Sequence, residues 1–324
     1  MWSAFISYSS NLGRRESTLI ALVIGLVGAY LIAFAPPASF TRGTVVRIAR
    51  GESVPAIVTE LARAHVVAHS SALRFVLRIM GDGATVQPGA YLFSQPQDAI
   101  AVARRLASGD YGEPAVRLTF VEGITTREAA QEVANAFPDL SADSFFALAH
   151  QQEGYLFPDT YFFQPSDDVQ SIIDTMHANF DAKIKNLGGD IAASGHSVSD
   201  IVIMASLVEK EARTSADRRV VAGILWNRIA HQMPLQVDAV FGYIFGRDTY
   251  SPSYADLQVD SPYNTYTHIG LPPGPIDNPG LDSLEAAIHP ATTTALYYLS
   301  DKKGVLHTAT TYAAHQANLK KYLQ

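Results

Sequence analysis

The sequence predicts an α+β protein: one N-terminal apolar helix, a small strand–helix–helix–strand module, then a larger mixed α/β domain. Three observations carry this. Residues 18–35 are uncharged and largely apolar over a length that could cross a bilayer as a helix. Residues 44–93 place a short β-branched run and a short aromatic run at either end of two helical patterns. Beyond residue 115, amphipathic helical patterns outnumber strands, which are short. The expected boundaries are 1–17 for an N-terminal segment, 18–35 for the apolar helix, 36–112 for the module and 113–324 for the larger domain.

The apolar run contains Leu19, Ile20, Leu22, Val23, Ile24, Leu26, Val27, Leu31, Ile32 and Phe34, and Arg14 and Arg15 precede it. The excess of positive charge on the cytoplasmic side of membrane helices places those arginines inside and the rest of the chain outside. Arg42, Arg47 and Arg50 beyond the run oppose this orientation, but the N-terminal flank usually dominates. Ala33-Phe34-Ala35 has the small-x-small form of a signal cleavage site. Pro36 and Pro37 directly after it, and the length of the run, favour an uncleaved anchor. The expected location is the cytoplasmic membrane, single-pass, N-terminus in, with the bulk of the chain periplasmic or otherwise extracytoplasmic.

That location argues against chemistry driven by ATP or NAD, and the sequence has no phosphate-binding glycine loop. The 324 residues carry a formal charge of −7 and no long basic block, which disfavours nucleic acid as a partner. With no cysteine, thiolate catalysis and Cys-based metal sites are excluded. His289, His307 and His315 match no common metal-ligand spacing. No cofactor and no metal are expected.

In the module, residues 44–48 read as a strand and 54–64 as a helix with Pro55 in its first turn. Residues 70–80 form a second helix, and Pro88-Gly89 turns the chain into a strand ending at Phe93. A helix over 96–108 follows, and Gly109-Asp110-Tyr111-Gly112 marks the boundary. In order and pattern this resembles a LysM-like module, which implies a grip on N-acetylated sugars; a plain spacer explains it equally well.

The larger domain opens with a strand over 115–121. Thr125 and Glu128 form a capping box for a helix reaching about Phe137. Another helix begins at Ser141 or Asp143 and ends near His150. The stretch from Glu153 to Phe163 is rich in aromatic residues but broken by Gly154 and Pro158, so it is no regular helix. Its rings with the carboxylates of Glu153 and Asp159 suit a sugar-binding cleft, in which rings cover pyranose faces. An ordinary core loop is the simpler explanation. A helix over 169–185 is expected to end at Asn186-Leu187-Gly188-Gly189.

Next comes the helix 201–212, capped by Ser197 or Ser199, whose apolar run ends in two carboxylates. At about 100° per residue, Ile201, Met204, Ala205, Val208 and Ala212 share the buried stripe and Lys210 points to solvent. Glu209 has Arg213 four residues on, the favourable orientation for a helix-surface ion pair. Glu211 lies beside Met204, Leu207 and Val208 with no basic partner on its own helix. Partial burial raises a carboxyl pKa, as a general acid requires near neutral pH. A basic partner from elsewhere in the chain would explain it as well, and the helix alone leaves both readings open.

A helix over 217–230 leads to Leu235-Gln236-Val237-Asp238. Residues 261–280 contain five prolines and three glycines. They form a rigid irregular loop of the kind that walls a site. Ser283 is expected to cap a short helix, residues 296–299 and 305–308 pair as a hairpin, and 313–323 close the chain as a helix.

Five stretches in this order resemble the endolytic murein transglycosylase, or YceG-like, family. They are Tyr155-Leu156-Phe157-Pro158-Asp159-Thr160, Met204 to Glu211, Leu235 to Asp238, Tyr263-Asn264-Thr265-Tyr266 and Gly270-Leu271-Pro272-Pro273-Gly274. The resemblance implies a membrane-anchored lytic transglycosylase. Such an enzyme cuts the β-1,4 bond from N-acetylmuramic acid to N-acetylglucosamine within nascent peptidoglycan, leaves a 1,6-anhydro end, and so terminates glycan elongation. It also implies that Glu211 is the catalytic acid and later base. Gln236, Asp238, Asn264, Thr265 and Tyr266, with Glu153 and Asp159, are the candidates for holding sugars. Nascent glycan strands are the expected partner, with cell-wall synthases as candidate protein partners. Two departures from the family pattern, Ala239 after Asp238 and Ala309 two after His307, touch the cleft wall rather than the reaction. The competing readings are a hydrolytic muramidase, with Asp238 or Glu153 activating water, and a non-catalytic glycan-binding scaffold.

Overall fold

The computed structural model describes residues 14–49, 51–81, 86–165, 167–247 and 252–323. Most of the expected N-terminal segment 1–17 lies outside them. The chain divides into two compact units, residues 1–116 with 164–167, and residues 117–163 with 168–324.

The first unit begins with helix α1 (Arg14–Ala33). Strand β1 (Thr44–Ile48), helices α2 (Val54–Arg63) and α3 (Ser70–Ile79), strand β2 (Gly89–Phe93) and helix α4 (Ala99–Ser108) follow. The two strands pair antiparallel from Thr44 opposite Phe93 to Ile48 opposite Gly89. Their inward residues Val46, Ile48, Tyr91 and Phe93 join Leu61, Leu73, Val102 and Leu106 in one core. The predicted strand–helix–helix–strand order is therefore present. The last helix starts three residues later than expected because Asp98 caps it, accepting the Ala101 N–H.

The apolar N-terminal helix is shorter than expected. Its apolar part is Thr18–Ala33, and among the described residues no single helix is long and apolar enough to cross a membrane. Those residues reach roughly 24 Å at 1.5 Å each, against a hydrocarbon core of about 30 Å. The run is cut short because Phe34 turns into the core of the module. There its carbonyl accepts the Ala99 N–H, while the Tyr30 hydroxyl donates to Asp98.

The second unit contains β3 (Val116–Thr119), α5 (Thr126–Ala136), α6 (Ala142–Ala149) and β4 (Thr160–Phe163). Helices α7 (Val169–Ser194), α8 (Val198–Glu211), α9 (Ser215–Ala230), α10 (Ala239–Phe245) and α11 (Leu281–Ile288) follow. The chain closes with the hairpin β5 (Tyr297–Ser300) and β6 (Leu306–Ala309), then α12 (Tyr312–Tyr322). Strand β3 pairs with β4, and Tyr297 lies opposite Ala309 in the hairpin. The capping boxes of Thr125 with Glu128 and of Ser197 with Asp200 are both formed.

Helix α8 is the axis of this unit. Every residue from Ile201 to Val208 is buried, not only the expected stripe. Helices α7, α9, α10 and α11 all contact it, and a helix that is apolar on all sides belongs inside. Helix α7 passes straight through the expected stop at Gly188 and Gly189 and ends at Gly195, whose φ is +76°. Two glycines are tolerated in a helix interior when the buried stripe continues. Here Phe180, Leu187 and Ile191 prolong it.

Glu209 does not pair with Arg213. The helix ends at Glu211 and Ala212 is extended, so the i,i+4 geometry is lost. Arg218 bridges Glu209 and Asp282 instead, and Glu209 also accepts the Gly280 N–H at 3.0 Å. Gly280, rather than Ser283, is the N-cap of α11.

Candidate active site

Glu211 is the last residue of α8, where the unsatisfied carbonyl ends of a helix disfavour a negative charge. Its Oε2 accepts the Tyr298 hydroxyl at 2.9 Å, and the Ala239 N–H also donates to the carboxyl. Burial, and next the charge of Asp238, push the Glu211 pKa up to about 7 against the pull of the Tyr298 bond. Burial raises the Tyr298 phenol well above its ordinary value, so it stays a donor. The partner from elsewhere in the chain is thus a neutral phenol, and among the described residues no basic side chain forms an ion pair with Glu211.

Glu211 opens into a cleft of about 1060 Å³ whose lining includes Arg127, Phe146, Glu153, Lys210, Asp238, Tyr243 and Ile276. Two of the sequence candidates, Glu153 and Asp238, join Glu211 there. Asp238 accepts the Tyr266 hydroxyl, and Tyr266 itself is outside the cleft lining. Glu153 is buried, and its Oε1 accepts the Thr126 N–H at 2.8 Å and the Asn278 Nδ2 at 3.0 Å. Burial pushes it up to about 7.

The remaining candidates do other work. Asn264 is fully buried, donates to the Leu257 and Val259 carbonyls and accepts the Tyr266 N–H. Thr265 is buried and its Oγ1 accepts the Val237 N–H. Thr265 braces the loop that carries Asp238 and Asn264 braces residues 257–266, so their side chains are engaged by backbone groups. Gln236 adopts φ +53°, with its N–H bonded to the Thr265 carbonyl, and is outside the cleft lining. Asp159 is exposed, bonds Asn179 and the Thr160 N–H, and is outside the lining too. The proline-rich loop contributes Ile276, whose N–H donates to the Ser206 hydroxyl at 3.1 Å.

Two residues that sequence reasoning missed complete the site. Tyr298 lies 87 positions after Glu211, and nothing local signals the pairing. Arg228 is buried on α9, one helical turn after the inward Ile224, and that spacing was a usable signal. Its guanidinium donates to the carbonyls of Leu296 at 2.6 Å and Leu235 at 2.7 Å. It therefore clamps the hairpin bearing Tyr298 to the loop bearing Asp238.

The model of the YceG-like family matches residues 46–321. The chain belongs to that family. Among its YceG-like relatives, the endolytic murein transglycosylase of Bacillus subtilis strain 168 is 32% identical, across 86% of this chain and 84% of that protein. The endolytic murein transglycosylase of Streptococcus pneumoniae strain D39 is 29% identical, and the match spans 86% of this chain but 58% of that protein. The crystal structure of a YceG-like protein from Listeria monocytogenes has a TM-score of 0.58 with 29% identity, covering 85% of this chain and 99% of that one.

Because Glu153 titrates near pH 7 when folded but at the ordinary carboxyl value when unfolded, the folded state holds more protons between about pH 4.5 and 7. Stability therefore falls as pH rises through that window. Glu153→Gln keeps the Oε1 acceptor and cannot ionise. It is expected to flatten the slope and to raise stability at pH 8 by about 1–3 kcal/mol, as urea unfolding at pH 5 and pH 8 would measure.

Proposed function

We propose that the chain is an endolytic lytic transglycosylase of peptidoglycan in which Glu211 serves as acid and then base. The observation that carries this is the half-buried Glu211 carboxyl, pushed up towards neutral titration by its surroundings, bonded to the Tyr298 phenol and opening into a cleft. In the first step Glu211 protonates the glycosidic oxygen as the bond to the muramyl C1 breaks and positive charge develops at C1. In the second, the muramyl C6 hydroxyl attacks C1 and its proton returns to Glu211. One C–O bond is exchanged for another, no water is consumed, and the acid is regenerated. Because the nucleophile belongs to the substrate, effective molarity supplies much of the rate. Tyr298 and the Ala239 N–H stabilise the Glu211 carboxylate between the two steps, and the negative charge of Asp238 favours the cationic centre.

The same reading assigns α1 to membrane attachment with the N-terminus inside and both units outside. The exposed leucines and isoleucines of α1 support it, since among the described residues that surface has no apolar partner. Residues 36–112 would form a LysM-like glycan-gripping module and 113–324 the catalytic domain, acting on nascent strands beside cell-wall synthases and ending their elongation. A hydrolytic muramidase is the second reading, favoured by Asp238 sharing the cleft with Glu211, from where it could activate water.

Mass spectrometry of fragments released from uncrosslinked glycan strands separates the two. Internal fragments with anhydro-muramyl ends support the transglycosylase, and reducing ends convert the assignment to a hydrolase. Release of nothing by a folded chain that still binds strands would favour the scaffold. The pH profile adds a further check. The reaction needs protonated Glu211, so kcat/KM is expected to fall above about pH 7. Tyr298→Phe removes a bond that favours the carboxylate, so that alkaline limb should move to higher pH while kcat drops about tenfold. An unmoved limb would remove Tyr298 from the site.

A further inference from the structure

The cleft is larger than Glu211 and its partners require, and its lining falls into two groups of opposite character. Glu211, Asp238 and Ala239 interact with one another around the acid. A second group interacts separately: Arg127 and Glu153 act on Tyr243, and Lys210 on Glu153 and the buried Asp277. Lys210 and Glu211 are adjacent in sequence but serve different groups, as neighbours at a helix end do.

The second group presents positive charge to the cleft. The Arg127 guanidinium lies 4.2 Å above the Phe146 ring, which fixes its plane. Among the described residues neither Arg127 nor Lys210 forms an ion pair. Among the described residues no hydrogen bond or ion pair joins them to the nearby acids. Glu128 is engaged by the Thr125 N–H and hydroxyl in the capping box. Burial favours the protonated forms of Glu153 and Asp277. Cations that line a cleft without an ion-pair partner suit an anionic ligand.

A backbone of N-acetylated sugars carries no charge. The fixed anion on a peptidoglycan strand is a carboxylate at the muramyl 3-position, either the lactyl group itself or the stem peptide that extends it. We propose that the arm of the cleft walled by Arg127 and Lys210 is a subsite for this carboxylate, so that the enzyme reads which sugars are muramyl residues by charge. The inference rests on peptidoglycan being the substrate.

The test measures binding of three glycans of equal length to the whole chain carrying Glu211→Gln, so that strands stay intact. They are a chitin oligosaccharide without carboxylate, a peptide-stripped muramyl strand and a stem-bearing strand. At least one muramyl strand should bind about tenfold or more tightly than chitin, the gap of one charge-assisted contact, and the gap should narrow as salt is raised. Whichever of the two binds tighter identifies the carboxylate. Adding Arg127→Gln and Lys210→Gln together should close the gap. Chitin binding as tightly as both muramyl strands, or a double variant that weakens all three alike, would overturn the subsite. Cleavage of stem-bearing strands by the unsubstituted chain is measured alongside. Cleavage without a gap removes only the subsite, whereas a gap without cleavage removes the catalytic reading and leaves the subsite standing.

Discussion

Glu211→Gln is expected to lower glycan cleavage by at least about 10³-fold, since general acid or base catalysis alone contributes about 10²–10⁴ and here one carboxyl performs both steps. The substitution preserves volume and an oxygen acceptor, so Tyr298 and the Ala239 N–H keep a partner. What is lost is the transferable proton. Removing an ionisable group whose charged form is disfavoured by burial should leave the thermal midpoint equal or higher at pH 8, and strand binding intact. Single-turnover cleavage together with a melting curve checks this. A residual rate within tenfold of the original would displace Glu211 as the acid.

The second large effect is expected at Arg228. Its guanidinium satisfies carbonyls on both the hairpin and the Gln236 loop and lies over the Tyr297 ring. Arg228→Met fills similar space but leaves the Leu296 and Leu235 carbonyls without their donor. Unmade buried hydrogen bonds cost about 1–3 kcal/mol each, so a loss of about 3–5 kcal/mol in urea unfolding is expected. The same change frees Tyr298 and Asp238 to move relative to Glu211, and misplacement of about 1 Å can cost about 10² in rate. Arg228→Lys retains the charge but not the fork, and should recover less than half of the lost stability. A variant as stable as the original would show that the clamp is not structural.

Local rules located most elements. The capping boxes at Thr125 and Ser197, the hairpin near the C-terminus and the irregular proline-rich loop could all be read from spacing and residue type. Where reading failed, a tertiary contact had overridden a local signal. Gly188-Gly189 looked like a stop, but Leu187 and Ile191 are buried and carry α7 onward. The apolar run 18–35 looked like one segment, but Phe34 belongs to a core assembled from residues up to Leu106. At the site, the helical wheel put Glu211 and Glu209 on different faces because helix position is a local property, but it did not foresee that Glu209 is buried against Arg218. It could not identify Tyr298, since that partner comes from a distant hairpin. Asn264 and Thr265 illustrate the converse. Polar residues beside a motif look like ligand contacts until the backbone groups that they satisfy are seen.

The hydrogen bonds around Asn278 have a consequence for biosynthesis. Its side chain and backbone join Gly123, Ile124, Glu153 and Leu156, at separations of 122 to 154 residues for the side-chain bonds to Leu156, Glu153 and Ile124. The wall of the cleft made early by the ribosome waits for a residue made late, and Tyr298 arrives later still. Contacts this distant in sequence form slowly, because the loops between them must close first. A nascent or truncated chain that ends before the hairpin lacks the phenol that holds Glu211. Until the hairpin is made, Glu211 lacks the hydroxyl that would steady its carboxylate between the two proposed steps.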